Sequence, residues 1–497
     1  MKRQKAKKKT LAGILAGLII CEVLFWVLFW RLGVIPWTYL GTAVWIFLLV
    51  DFLLALMMFF RDKYSMHRGT GRQTAAAVLS AALAVLCLGG SYAAYRIGQS
   101  ITAMMTPPPV KTVVDVYVLA DREKTEKEEL RNFTFAATDT FDWTSTQKAI
   151  GEMEKRLDTD LSVDRYPSVM ESVDSLYHEQ ADAVVVNNSY LGVLEDIEGY
   201  SDFREKTKLV EQHVLEAPDE PREAKKGAPV IPEEPFILYI SGMDTWNGIT
   251  TKTRSDVNIL AAVNPQTKQV LLVNTPRDYY VKNPAGKGAL DKLTHCGIYG
   301  VECSMKALEN LYGIKIYHYG KINFTGFETL INAIGGVDLV LDEAVDLPYL
   351  QLKQGLNHLD GKTALTYARE RHHFAGGDNA RGKHQMEVIS SVISKMSGST
   401  MLTNYNDILD SLQGMFTTNV TQKEMSELIK MQLQDMSSWN VNTYAVTGSN
   451  GSERTFSAPG HKAYVMYPHH ETVKKAKDLI TRVMEGEVLT PADVRSK

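Results

Sequence analysis

Three long apolar runs fill the first fifth of the chain: Leu11–Trp30, Thr38–Phe60 and Thr74–Ala94, of 20, 23 and 21 residues. A helix crossing a hydrocarbon core of about 30 Å needs about 20 residues. It also satisfies its own backbone polar groups in lipid. The pattern therefore predicts three transmembrane helices in a membrane module over residues 1–97. A cleaved leader would carry a shorter apolar stretch than the first run, and two further runs would not follow it.

The patterning changes past residue 97. Pro107-Pro108-Pro109 reads as a stiff spacer. Strand-like runs at Val113–Leu119 and Ala183–Val186, with helical periodicity over 145–157 and 170–178, predict a small α/β accessory module over 110–215. It carries no recognisable catalytic constellation, so a binding or spacer role is the expectation. A segment rich in Pro and charge, 216–235, reads as an exposed linker. The portion 236–486 opens with a strand at Phe236–Ile240. A predicted hairpin follows, Val257–Val263 with Val270–Asn274, joined through Asn264-Pro265-Gln266-Thr267. Helical stretches near 302–311, 324–334, 360–370, 384–396, 421–437 and 469–484 come after, with a short strand at Lys315–Tyr319. Alternating strands and helices imply an α-β-α sandwich around a mixed sheet.

Charge sharpens this division. The chain has 497 residues and a net charge of -4, an average that looks soluble and ordinary. Residues 1–97 hold twelve Lys/Arg against three Asp/Glu, a balance of +9, and the remainder holds 42 against 55, a balance of -13. The basic residues stand before the first run and between the second and third, and basic loops stay cytoplasmic. The N-terminus is thus expected inside and everything after residue 97 outside. An acidic exterior portion argues against a nucleic-acid partner. Glu22 and Asp51 fall within the first two runs, where charge at the bilayer centre costs roughly 2.5–3.5 kcal/mol. That cost favours protonated carboxyls bonded between helices over contact with a membrane partner. Cys296 and Cys303, seven apart, can pair outside or remain thiols, and spacing leaves both readings open.

The candidate chemistry lies at predicted strand ends and helix edges, where sites of α/β folds gather. Arg254 and Asp256 precede one strand, while Asp244 and Arg277 follow others. Arg369 and Arg371 end a helix; Asp378 and Arg381 follow, with Gln385 opening the next. Guanidinium groups grip phosphate oxygens in pairs, and carboxylates can hold the Mg²⁺ that grips them too. Arginines with an aspartate pair therefore point to a pyrophosphate and a divalent metal, Mg²⁺ or Mn²⁺. Any one of these residues alone would usually be a solvated charge. The ordered set is the signal.

That set resembles a known family. Gly242-Met243-Asp244, Arg254-Ser255-Asp256, Thr275-Pro276-Arg277-Asp278, Lys292-Leu293-Thr294-His295, Tyr367-Ala368-Arg369-Glu370-Arg371 and the 377–385 string GDNARGKHQ follow the motif order of the LytR-CpsA-Psr family. Gly335-Gly336-Val337-Asp338 and Leu359-Asp360-Gly361 are also similar, and the resemblance covers about residues 235–400. Three spans with an accessory module look like its capsule-attaching CpsA branch. The resemblance implies an enzyme that moves a glycopolymer from undecaprenyl pyrophosphate to peptidoglycan, as a phosphodiester on the muramic acid 6-hydroxyl. Asp244 and Asp256 would organise Mg²⁺. Arg254, Arg277, Arg369 and Arg371 would hold the pyrophosphate and carry the catalysis with Asp256. Lys292 would support as a cation, Gln385 would meet the head group, and Asp378 and Arg381 would shape the site. The chain departs from the family pattern at His384, where many members have a second arginine, and at Thr294, where many have asparagine. A donor carrying its own phosphoanhydride suits an enzyme outside the membrane, where nucleoside triphosphates are scarce. The general base is open between Asp256 and Asp278. Two other readings compete: a hydrolase of the lipid-linked pyrophosphate on the same site, and a non-enzymatic envelope regulator. Which polymer is carried is open.

Overall fold

The computed structural model describes residues 2–33, 35–60, 70–105, 110–122, 127–217, 227–243, 252–370, 378–398, 408 and 414–495. They fall into two compact units, 1–105 with 421–437, and 106–420 with 438–497.

In the first unit, α1 (Lys2–Leu32), α2 (Trp37–Phe59) and α3 (Thr70–Met105) are three helices long and apolar enough to cross a membrane. α1 and α3 run past their apolar stretches because the flanking Lys, Arg, Gln and Ala residues are good helix formers. Leu11, Leu18, Leu54, Met58 and Ala76 form the contact between helices. Large apolar side chains such as Trp45, Phe52 and Leu86 face outward, the inverse of a water-soluble bundle. Glu22 is buried, and its side chain meets that of Asp51 on α2.

The second unit begins with the accessory sheet. Its strands are β1 (Val110–Leu119), β2 (Thr134–Thr138), β3 (Ser162–Tyr166), β4 (Ala183–Asn187) and β5 (Thr207–Ala217), in the order β3-β2-β4-β1-β5. The helices α4 (Trp143–Leu157), α5 (Val169–Tyr177), α6 (Leu191–Glu195) and α7 (Phe203–Lys206) connect them. Alternation along β1 decides the faces. Val114, Val116 and Val118 join a core with Phe135, Ala149 and Met153. Tyr117 points the other way, into a cluster with Val184, Val186, Leu191, Leu194 and Phe203. That second cluster also contains Ile298, Ala458 and Ala463, from the C-terminal portion of the chain. Of the expected linker, β5 takes the first two residues, and 218–226 lie outside the described residues.

The large sheet runs β16-β11-β6-β7-β8-β17, built from β6 (Phe236–Met243), β7 (Ser255–Asn264), β8 (Gln269–Asn274), β11 (His318–Ile322), β16 (Phe416–Thr418) and β17 (Asn440–Ala445). β6, β7 and β8 are antiparallel neighbours, whereas β11 and β17 pair in parallel with β6 and β8. Leu260, Ala262, Leu271 and Val273 pack under α9 (Val301–Tyr312) and the helix His470–Met484. Ile259, Ala261, Val270 and Leu272 face the opposite layer with Met386 of α12 (Asp378–Met396). This is the expected α-β-α sandwich on a mixed sheet. The hairpin of β7 and β8 and the helices at 301–312, 324–333 and 361–369 stand where periodicity places them.

Three expectations need correction. The strand placed at 315–319 is β11 at 318–322; Ile316 is buried core in the approach to it, which gives the approach a strand-like pattern. Helix α12 starts at Asp378, six residues before the apolar periodicity begins. Residues 440–468 form β17, β18 (Gly448–Thr455) and β19 (Ala458–Pro468), where no strand is predicted. β18 is mostly Gly, Ser, Asn and charge. Its backbone pairing with β19, rather than an apolar face, holds it as a strand.

Candidate active site

Among the described residues, Arg254, Asp256, Arg277, Asp278, Lys292 and Arg381 come together at one end of the large sheet. Arg254 immediately precedes β7 and Asp256 is its second residue, so their side chains leave the strand on one side. Ser255 goes the other way, and its hydroxyl joins those of Ser241 (2.8 Å) and Tyr239 (2.9 Å) in a buried polar network. A short hairpin, β9 (Tyr280–Lys282) with β10 (Leu290–Lys292), leads into α8 (Leu293–Cys296). It brings Lys292 and Thr294 back over Arg277 and Asp278. The Thr294 amide donates to the Arg277 carbonyl at 2.8 Å.

The ion pairs form one alternating chain. Arg254 Nη1 lies 3.0 Å from Asp196 Oδ1, and Asp196 Oδ2 lies 3.0 Å from Lys292 Nζ. Lys292 Nζ is 2.7 Å from Asp278 Oδ1, and Asp278 Oδ2 is 3.5 Å from Arg277 Nε. Arg277 Nη1 closes on Asp256 Oδ2 at 2.8 Å, while the Thr294 hydroxyl donates to Asp256 Oδ1 at 3.0 Å. All three cations are buried, Lys292 to 3% exposure. Burial alone would raise the Asp256 carboxyl, but Arg277, Arg254 and Arg381 hold it far below the usual carboxylate range. Asp196 behaves likewise: burial opposes ionisation, yet Lys292, Arg254 and Arg277 bring it down to about 2. Asp256 is thus a fixed negative charge with both oxygens engaged, ill suited to accept a proton near neutral pH.

The other predicted residues divide. Arg381 is buried and close enough to Asp256 to stabilise its charge. Gln385, one turn further along α12, is buried and donates to the Ala368 carbonyl at 3.3 Å. Arg369 ends α11 (Gly361–Arg369) with its guanidinium 4.1 Å over the Phe324 ring, at the start of α10 (Phe324–Ala333). Asp244 and Arg371 lie outside the described residues, and of Asp378 only the backbone is described, in the first turn of α12. His384 is buried against Tyr367, ring centroids 4.3 Å apart. His295, the last residue of its motif, is a buried anchor: Nδ1 sits 2.7 Å from Asp291, whose carboxylate also accepts from Asn283 and Ser457. Cys296 and Cys303 are free thiols with their side chains in mutual contact.

Among the described residues, no group of three or more His, Cys, Asp or Glu side chains forms a metal cage. Mg²⁺ commonly takes one or two carboxylates together with substrate phosphate oxygens. The rigid, ionised Asp256 fits an ion that arrives with a diphosphate.

Sequence reasoning misses Asp196. It follows α6 in the accessory module, among many acidic residues, and no local string marks it. Only the fold reveals its place between Arg254 and Lys292, so the accessory module, expected to bind or to space, adds a carboxylate to the ion-pair chain.

The sequence model of the LytR_cpsA_psr family matches residues 199–477, more than half of the chain. The chain belongs to this family. Curated relatives include a polyisoprenyl-teichoic acid–peptidoglycan teichoic acid transferase, TagU, of Enterococcus faecalis, 34% identical over 198 residues. That match covers 39% of this chain and 65% of the relative, just under two thirds of its length. The TagU of Bacillus cereus is 30% identical over 256 residues, 51% of this chain and 79% of that protein. Solved structures similar to this chain include B. subtilis TagV, with 24% identity and a TM-score of 0.44 over 52% of this chain and all of that one. TagT bound to LI-WTA has 26% identity and a TM-score of 0.40 over 51% of this chain and 92% of that one.

Proposed function

We propose that this chain is a membrane-anchored phosphotransferase, with its N-terminus in the cytoplasm and its LytR_cpsA_psr portion outside a Gram-positive-type cell. It takes a glycopolymer from undecaprenyl pyrophosphate and attaches it to peptidoglycan through the muramic acid 6-hydroxyl. The observation that carries this reading is the buried set Arg254, Arg277, Lys292 and Arg381 at one sheet end, in a chain whose relatives are named as teichoic acid transferases. Teichoic acid and capsular polysaccharide are both compatible cargoes.

The acceptor oxygen attacks the phosphorus nearer the sugar. A new P–O bond forms, the bridging P–O bond breaks, and polyprenyl phosphate leaves while the hydroxyl proton passes to base or solvent. Charge builds on the departing phosphate, and preorganised cations are the recognised way to stabilise it. In this reading Arg277 reaches the diphosphate while Asp256 fixes its orientation. Arg254 and Lys292 sustain the positive potential behind it, and Arg369, Arg371, Asp378 and Gln385 complete the donor site. Asp244 and Asp256 would hold Mg²⁺ or Mn²⁺, which when bound would neutralise part of the diphosphate charge.

The test uses the full chain in lipid vesicles with a polyprenyl-pyrophosphate-linked glycan. Release of polyprenyl phosphate is expected to require a peptidoglycan acceptor, and Arg277→Ala should slow it by roughly 10²–10³-fold. Equal release with and without acceptor would make the protein a hydrolase. An inactive Arg277→Ala variant that still supports polymer attachment in cells would make it a regulator.

A further inference from the structure

We propose that Asp196 is a positioning residue of the transfer site, supplied by the accessory module to hold Arg254 and Lys292. This rests on the functional reading above and deepens it: the module becomes part of the reaction machinery rather than a spacer.

Three observations carry the assignment. The first is the contact itself. Asp196 bridges the two cations with one oxygen each, both at 3.0 Å, and the Gly192 carbonyl accepts a second bond from Arg254 Nη1 at 2.7 Å. The second is the closeness of approach. A Cβ on Gly192 would stand 2.5 Å from Arg254 Nε, so α6 lies flush on that side chain. The third is the rigidity of the mount. Leu191, Leu194 and Ile197 around Asp196 pack in the cluster that includes Ile298, Ala458 and Ala463. Tyr190, just before α6, donates its hydroxyl to the Ser457 carbonyl. Asp196 is therefore fixed by the same packing that joins the accessory sheet to the LytR_cpsA_psr portion.

The contact matters beyond Arg254 because charges continue from it. Lys292 passes from Asp196 to Asp278, and Asp278 faces Arg277, the residue assigned to the diphosphate. Neutralising Asp196 leaves two buried cations short of a partner and frees Lys292 to draw Asp278 away from Arg277. An opposite role is conceivable, in which the carboxylate stands in for a phosphate group that the donor displaces. Burial speaks against it. The Lys292 and Arg254 side chains are only 3% and 9% exposed, so a donor would have to lift α6 from its apolar seat to reach them.

The experiment compares Asp196→Asn, Asp196→Glu and Leu194→Ala in the full chain in vesicles, with Arg277→Ala as the reference for the site. Asp196→Asn should lower kcat roughly 10- to 100-fold, with KM for the donor changed by no more than about threefold. Asp196→Glu should restore part of the loss, because the charge returns. Leu194→Ala lowers the melting temperature through the core; if it alone reproduced the kcat loss, Asp196 would be merely structural and the proposal would fall. The proposal would also fall if Asp196→Asn kept kcat within about twofold of the parent, or bound donor more tightly and ran faster. Should Arg277→Ala remain active as well, the reading of the site itself would fail, which is a separate result.

Discussion

At the scale of single residues, burial decides what a familiar motif position does. His384 stands where many family members carry arginine, yet its environment makes it neutral. Burial pushes its pKa down to about 4, Lys383 adds to the effect, and the ring rests against Tyr367. An unfolded histidine titrates near about 6.5, so below that pH the unfolded chain gains a proton that the fold refuses. The contribution of His384 to stability is therefore complete above about 6.5 and is lost as the pH falls toward 4. Denaturant titrations of His384→Gln should show a shallower decline of stability across that window than the parent. Motif order is legible in the sequence because each motif is a local string. The charge state of His384 and the involvement of Asp196 are not, since both depend on residues that only tertiary packing brings near.

Elements show the same contrast. Arg254 leads into β7, and Gly297, just past α8, is pressed against that lead-in. A Cβ on Gly297 would sit 2.7 Å from the Ser255 amide nitrogen and from the Thr253 carbonyl oxygen, both backbone atoms that cannot rotate away. Gly297→Ala should cost about 1–3 kcal/mol by overpacking, read as a lower melting temperature, with transfer activity falling because the lead-in to Arg254 moves. Gly151, exposed in α4 with nothing within 4 Å of such a Cβ, predicts the opposite sign. There, alanine should stabilise by about 0.5–1 kcal/mol, measured by the same melt. Strands such as β7 and β8 are legible because both their faces are buried in apolar layers. β18 is held by its partner β19, and a polar string gives no sign of that.

For the whole molecule, the uneven charge predicts topology. The +9 of residues 1–97 lies mostly before the first apolar run and between the second and third runs, and the -13 follows the third. Alkaline phosphatase, which is active only outside the cytoplasm, should be active when fused after β5 and inactive when fused between α2 and α3. The reverse pattern would place the proposed site on the wrong side for peptidoglycan. The division into three long apolar helices and the portion that follows them is legible from hydropathy alone. The joint between accessory sheet and LytR_cpsA_psr portion is not, because Ile298, Ala458 and Ala463 look like ordinary core residues until the fold sets them beside Leu191 and Phe203.

The alternating chain from Arg254 to Asp256 has three positive and three negative members, and it sums to zero. A chain so balanced adds little long-range field of its own, and the pull on an anion falls to cations outside it such as Arg381. Its partners are buried, where dissolved ions screen weakly. With the orientation proposed above, the surrounding medium is one whose ionic strength the cell does not control. The buried chain then keeps its geometry whether the world outside is fresh or saline.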